Sequence, residues 1–293
     1  MRLRFDAFQR DLALALRAEL AGEGAEDGHA CLAGLGAYGA EIPADQGGLA
    51  LGLGTGAVIC EELGRGGVDD RYRATALAAE LQPDLGPDIA AGHLIVRFSP
   101  AGGLASQKAG EQDWVAVGSE PRFDGITGPA RTLARAWVRQ SAYLLGLAAG
   151  AHRAAVIRAT QRQQFGQAIG QNQAISFPLA QQFAHLQAIR LLVHRAAWLD
   201  DRGENADLAA TRALAYAAEQ SLQTTAWSLH VHGAFGLTRY APVHRHYELA
   251  AREALRWGSP ARLWRHAGRL AERSRGDDRQ LAQATSLRPG LHR

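Results

Sequence analysis

Between Ile175 and Leu199 the apolar residues Ile175, Leu179, Phe183, Leu186, Ile189, Leu192, Ala196 and Leu199 step by three or four positions. That period belongs to an α-helix with one face turned toward a core, and a helix of this length needs other long helices to cover its stripe. The chain supplies them. From Ala130 onward it reads as long helices, with further ones predicted over about 207–231, 241–256 and 260–274, joined by the glycine-bearing turns "DRGEN", "HGAFG" and "RWGSP". Long antiparallel helices with short connections fold as a bundle. Pro178 falls near the start of the second long helix, where it either occupies the first turn or kinks the chain. The closing stretch "GDDRQLAQATSLRPGLHR" loses the period and reads as a loose tail.

Residues 5–38 read as two helices, with Phe5, Phe8, Leu12, Leu14 and Leu16 near helical spacing and "GEG" as the break. Proline and repeated glycine keep "EIPADQGGLALGLG" irregular, and helices follow over about 55–63 and 72–81. Residues 83–130 differ: prolines and glycines surround two short strand-like pieces, "HLIVRF" and "DWVAV". The segment is too small for an independent β domain. The predicted division is an N-terminal helical domain over 1–82, a reduced middle segment or linker over 83–130, a helical bundle over 131–275 and a flexible tail over 276–293.

With 293 residues, 47% of them hydrophobic, the chain can bury a substantial core. Its 32 basic residues face 29 acidic ones with no block of like charge, which gives little support to a nucleic-acid partner. Lys108 is the single lysine, so the positive charge is almost all guanidinium, suited to bidentate pairing with phosphate or carboxylate. A GC-rich coding bias accounts for the same excess. Cys31 and Cys60 lie in segments that read as buried helix and are expected to be reduced core residues. No apolar run is long enough to span a bilayer, and the N-terminus carries acidic residues inside its apolar pattern, so a cytoplasmic protein without membrane contact is the simplest expectation.

Three phrases carry a resemblance. "RQQFGQAIGQNQAISFPLAQQFAHLQAIRLLVHRAAWLDDRG" resembles the helical C-terminal domain of the acyl-CoA dehydrogenase family, whose usual phrase is R-x-x-F-G-x-x-I before a long helix. "HVHGAFGLTRYAPV" resembles that family's Q-x-x-G-G-x-G-Y, and "LAGLGAYGAEIPADQGGLALGLGTGAVICEELGRGG" its N-terminal helical domain. The resemblance implies a mainly α fold: an acyl-CoA dehydrogenase-like N-terminal helical domain plus a C-terminal four-helix bundle, with a reduced, irregular middle segment.

It also implies a cofactor. In the family the R-x-x-F-G corner grips the pyrophosphate and adenine end of an FAD belonging mainly to a neighbouring subunit. Carried over position by position, this assigns Arg162, Gln164, Phe165 and Gly166 to FAD, with His230, Gly233 and Gly236 at the second phrase. The competing reading pairs Arg162 with a nearby acid and packs Phe165 into the end of the bundle. His230 stands where the family has glutamine, and Ala234 replaces a glycine.

Two departures bear on activity. The family's catalytic glutamate, just before glycine and threonine, is here Trp257, followed by Gly258 and Ser259; an indole has no lone pair for proton abstraction. Some relatives place the base on the helix before the corner, but "ARTLARAWVRQSAYLLG" holds no carboxylate. No catalytic residue is therefore expected at the family positions. Glu253, four residues before Trp257, is a candidate substitute with Glu248 near by, the alternative being that both pair with Arg252, Arg256 or His244 on a solvated face. The second departure is the middle segment, whose 48 residues fall short of the family's flavin-holding β domain. The pairs His230/His232 and His244/His246 have a spacing that serves one metal only on a strand or loop, and no cysteine or acid cluster joins them, so no metal is expected.

The resemblance thus implies a dehydrogenase-like subunit, not active alone, that contributes part of an FAD site in an oligomer with a full-length paralogue or with itself. The reaction would be α,β-dehydrogenation of an acyl-CoA or carrier-bound acyl group. The alternatives are a redox-inactive homologue acting as a binding or structural partner, and a non-redox cyclase- or isomerase-like enzyme with Trp257, Tyr143 or His230 shaping its site.

Overall fold

The computed structural model describes residues 6–20, 29–68, 71–98, 103–108, 113, 115–116 and 130–286, the stretch 275–286 as backbone alone. Its helices are α1 (Ala7–Leu20), α2 (His29–Gly34), α3 (Gly52–Arg65), α4 (Tyr72–Leu81), α5 (Gly86–Ala90), α6 (Ala130–Gln161), α7 (Gln173–Asp201), α8 (Asp207–His232), α9 (Pro242–Glu253) and α10 (Pro260–Ser286). The strands are β1 (Leu94–Phe98), β2 (Leu104–Lys108), β3 (Val115–Ala116), β4 (Gln163–Gln164) and β5 (Gln167–Ala168). The fold is mainly α, a helical N-terminal part joined to a four-helix bundle.

Helix α6 is the axis of the molecule, packing against α3, α7, α8 and α9, while α10 lies on α8. Along α7 the predicted stripe is realised in part: Leu179, Leu186, Ile189 and Ala196 are buried, but Phe183 is exposed. Pro178 lies inside α7, past its first turn. The side chains that α8 buries are mostly small, among them Ala210, Ala213, Ala217 and Ala218, which lets its neighbours approach closely.

Two glycines set the crossing of α3 and α6. A Cβ on Gly64 would lie 2.2 Å from the Tyr143 carbonyl oxygen, and one on Gly146 would lie 2.0 Å from that of Glu61. Backbone meets backbone there, so no larger residue fits. Polar bonds reinforce the joint. Asp201, in the last turn of α7, accepts the Leu53 and Gly54 amides of α3 at 2.6 and 2.9 Å, capping a helix whose own N-cap residue makes no side-chain cap. Glu61 pairs with Arg190 of α7 at 2.6 Å, and Glu62 with Arg17 of α1 at 2.6 Å. One continuous core therefore includes Leu16 and Leu63 from the N-terminal helices and Leu145, Ile189 and Leu263 from the bundle.

The middle segment holds more regular structure than its composition predicts. Residues 83–90 form a 3₁₀ turn and α5, whose Ile89 joins the core. "HLIVRF" contains β1, which pairs antiparallel with β2 from Leu94↔Lys108 to Phe98↔Leu104, and β2 in turn pairs with β3 at Ala105↔Ala116. Strand β2, "LASQK", has weak β propensity and becomes a strand through its neighbour. Thr75 of α4 fixes β1 by accepting the Val96 amide at 2.9 Å and donating to the Val96 carbonyl at 3.0 Å. The rest of "DWVAV" beyond Val115, Ala116 and Asp113 lies outside the described residues.

The predicted tail is also corrected: α10 continues to Ser286 rather than ending near 274. The stretch after 275 has lost apolar periodicity, not helix-forming residues, and no proline intervenes before Pro289, so the packed first turns propagate. Residues 287–293 lie outside the described part.

Candidate functional site

Helix α6 ends in a tight corner. The Arg162 amide still donates to the Arg158 carbonyl at 2.9 Å, and the chain then reverses through the β4–β5 hairpin, Gln163↔Ala168 and Gln164↔Gln167, closed by the Ile169 amide on the Arg162 carbonyl at 2.9 Å. The two residues at its tip, Phe165 and Gly166, have φ of 51° and 79°. A two-residue hairpin loop of this hand demands positive φ at both positions, which glycine adopts freely and phenylalanine rarely does. The Phe165 ring does not repay that strain by packing, because the residue is 98% exposed. The reading that it fills the end of the bundle is thereby overturned. Arg162 and Gln164 are exposed as well, and Arg162 makes no ion pair among the described residues.

The second phrase stands at the same end. Val231 and Trp227 of α8 share a small apolar cluster with Ala155 and Ala159 of α6, and with Ile169 and Ile175 beyond the corner. His230 is exposed and stacks on Trp227, ring centroids 4.8 Å apart. Gly233 has a φ of 65° and open space where a Cβ would stand, so its backbone is approachable. Gly236 is different, and the expectation that it admits a ligand is corrected. It is buried, and a Cβ there would meet the Leu229 carbonyl at 2.7 Å and the His232 Cβ at 2.8 Å, so its small size serves the chain's own packing. His232 is also inward, its Nδ1 donating to the Ser228 carbonyl at 2.8 Å while burial holds its pKa below the ordinary value.

The Trp257 position is filled. Trp257 is 4% exposed and meets the Phe98 ring edge to face at 6.4 Å. Beside it, Glu253 is buried and accepts from Arg73 at 2.9 Å, from Arg256 twice at 2.6 Å and from Arg252 at 3.0 Å. Gln140 of α6 donates to the Glu253 carbonyl at 2.9 Å and accepts from Arg73 at 2.5 Å. The guanidinium of Arg73 lies over the Tyr143 ring at 3.8 Å and that of Arg256 over Phe98 at 4.1 Å. Burial alone would raise the proton affinity of Glu253, but Arg73 and Arg256 outweigh it and hold the carboxyl far below the usual range. Buried and with its carboxylate oxygens taken up by three guanidiniums, Glu253 is placed as an ion-pair partner, which speaks against its use as a substitute base. Its partners include the expected Arg252 and Arg256, in a buried network rather than on a solvated face. Glu248 is the exposed one, 3.2 Å from His244.

A third polar group was not anticipated. Arg131, Arg135 and Arg139 lie four residues apart on α6 and meet Asp200, Glu80 and Glu41. Glu41 accepts from Tyr72 at 2.9 Å, from Arg135 at 2.8 Å and from Arg139 at 2.8 and 2.7 Å. Its signal in the sequence is the i, i+4, i+8 arginine spacing inside "ARTLARAWVRQ". Among the described residues no cluster of three His, Cys, Asp or Glu side chains could hold a metal, and no helix is long and apolar enough to cross a membrane. Cys60 is buried and Cys31 half-buried.

Residues 124–269 match the family model described as acyl-CoA dehydrogenase, C-terminal domain. A curated 3-(aryl)acrylate reductase from Clostridium sporogenes is 37% identical over 123 residues, which is 42% of this chain and 33% of that protein. The match thus spans about a third of that relative's length. The solved butyryl-CoA dehydrogenase from Megasphaera elsdenii superposes with a TM-score of 0.74 at 17% identity, over 92% of this chain and 100% of that one. A chain of the ChsE4–ChsE5 complex from Mycobacterium tuberculosis superposes with a TM-score of 0.70 at 20% identity, over 93% and 99%. At such identities the superpositions speak for the fold alone. The helices that carry the corner are the same helices that match in sequence, and they pack as in the solved dehydrogenases; the chain belongs to the acyl-CoA dehydrogenase family.

Proposed function

We propose that this chain is a subunit of an oligomeric acyl-CoA dehydrogenase that lends its corner to an FAD held mainly by a partner, either a full-length paralogue or a second copy. The observation that carries this reading is Phe165: among the described residues, a fully exposed ring on positive-φ backbone beside a guanidinium without an ion-pair partner has no role in packing. The residues present fit the cofactor. Arg162 would pair with the diphosphate, Phe165 would cover an apolar part of the adenine end, and Gln164 would offer a side-chain amide. Gly166 and Gly233 would keep the approach free of side chains, and His230 would stand at the rim. FAD, when bound, supplies the hydride acceptor.

The base and thioester pocket would come from the partner, because Trp257, Phe98 and the Arg73–Glu253 network fill the corresponding space here. The solved ChsE4–ChsE5 assembly, a complex of two proteins, supports such a division of labour. The substrate class is then a bulky acyl-CoA or carrier-bound acyl group. The filled pocket also suits a redox-inactive structural partner, and one experiment separates the two.

The chain is mixed with a co-encoded full-length paralogue, and flavin absorbance and acyl-CoA oxidation are followed. The mixture should turn yellow and active, and Arg162→Ala should weaken FAD retention by about tenfold, the effect of losing one charge-assisted contact. A mixture that stays colourless and inactive supports the structural partner instead. An isolated chain that is yellow and oxidises acyl-CoA defeats the proposal.

A further inference from the structure

Between the last turns of α7, the first turn of α8 and the stretch of α10 around Leu270 lies a cavity of about 560 Å³, at the opposite end of α7 from the corner. Leu192, Leu199, Leu208 and Leu270 give it apolar surface, each half-buried between the helices rather than projecting from them. Arg195, Arg212 and Arg273, one from each helix, also line it, and all three are exposed. The carboxylate in this lining is that of Asp207, so three guanidiniums against one acid leave two positive charges. Among the described residues none of the three arginines makes an ion pair, whereas Arg131, Arg135 and Arg190 of the same bundle are each held by a carboxylate. The potential around the cavity agrees with that count. The Leu208 and Ala209 amides in the first turn of α8 meet no backbone acceptor among the described residues, and Ala206 supplies no side-chain cap. On α10, burial first and then Arg269 and Arg273 hold the pKa of His266 below its ordinary value, against the opposing pull of Asp207.

We infer that this cavity binds a free organic phosphate monoester carrying a short aliphatic chain. Its hydrocarbon would lie on the leucines and its phosphate among the guanidiniums of Arg195, Arg212 and Arg273. Charge selects this class. A phosphate monoester carries about −1.5 to −2 charges near neutral pH, close to the excess in the lining, and its three terminal oxygens can each accept from one guanidinium. A monocarboxylate would leave part of the excess unmet and bring two oxygens to three donors. Because the leucines sit within the cavity rather than standing out from the surface, a free molecule fits them better than a headgroup in a bilayer.

The test is calorimetric titration of the full chain with hexyl phosphate, with inorganic phosphate and with hexanol. Hexyl phosphate should bind at least about tenfold more tightly than either of the others, each of which lacks one of the two parts that the cavity recognises. Arg212→Gln and Arg273→Gln should each keep the parent circular dichroism spectrum, since both side chains are exposed and neither has an ion-pair partner among the described residues. Each should lose about tenfold of the hexyl phosphate affinity. Arg265→Gln, at an exposed arginine of α10 outside the cavity, should change it by less than about twofold. Equal binding of hexyl phosphate and inorganic phosphate, no binding of hexyl phosphate, or the same loss in Arg265→Gln as in the two cavity variants overturns the inference. Loss of binding in Arg162→Ala overturns it too, by placing the ester at the corner proposed for FAD. So does retention on vesicles of equimolar phosphatidylcholine and phosphatidate without binding of free hexyl phosphate, which would assign the arginines to a lipid surface.

Discussion

Phe165 and Trp257 are both large aromatic residues at positions where the sequence resemblance puts functional groups, yet one is 98% exposed and the other 4%. Around Trp257 the packing and the charges are answered from within the chain: the indole ring by Phe98, Glu253 by three arginines, Gln140 by Arg73 and the Glu253 backbone. At the corner nothing among the described residues answers Phe165 or Arg162, and the backbone holds a conformation that phenylalanine disfavours. Self-sufficient burial points to stability, whereas strain without internal compensation points to something outside the chain. The two regions should therefore respond to perturbation in opposite ways.

Acid gives the largest expected separation. Glu41, Glu61, Asp200 and Glu253 all have folded pKa values below their ordinary ones, because neighbouring arginines outweigh burial. A lowered folded pKa contributes stability that is complete above the unfolded value and is lost as pH falls through it, so the loss should begin below about pH 5. Asp201 works in the opposite sense, its pKa raised by burial, but it is one group against four. Helicity followed by circular dichroism should collapse on acidification, with the same midpoint in Arg162→Ala as in the parent. A shifted midpoint in that variant would tie the corner to the core and break the contrast.

Single substitutions come next. Glu253→Gln leaves Arg73 buried beside a neutral amide and should cost about 3–5 kcal/mol in urea unfolding. Trp257→Ala should cost about 3 kcal/mol through the cavity it opens against Phe98, and it should yield no dehydrogenase activity in the isolated chain, since it restores no base. A loss under about 1 kcal/mol for both would mean that the pocket is loosely filled and could still admit a substrate.

How far the sequence foretold these regions follows from what each depends on. Helices α4, α6, α7 and α8 were legible because their apolar period is set locally, and the corner because its glycine and arginine stand in one contiguous phrase. Strand β2 was not, since Leu104, Ala105, Ser106, Gln107 and Lys108 have little strand preference of their own and become a strand by pairing with β1. Nor was the burial of Glu253, whose partners Arg73 and Gln140 lie 180 and 113 residues away. Gly236 shows a third kind of limit: a glycine in a binding phrase and a glycine required by packing are the same letter, and only the 2.7 Å approach of the Leu229 carbonyl tells them apart.

The smallest effect on stability is expected where the effect on function is sharpest. Phe165→Gly replaces a side chain that is 98% exposed with a residue that adopts a φ of 51° without strain. Relief of strain and the extra freedom of the unfolded chain oppose one another, so unfolding in urea should shift by no more than about 1 kcal/mol in either direction. The same substitution removes the ring proposed to cover the cofactor, so the oligomer's hold on FAD should weaken while Arg162 still supplies charge. A stability loss of about 2 kcal/mol or more would show that the ring packs within the chain after all, and with it the distinction between the two aromatic residues would fall.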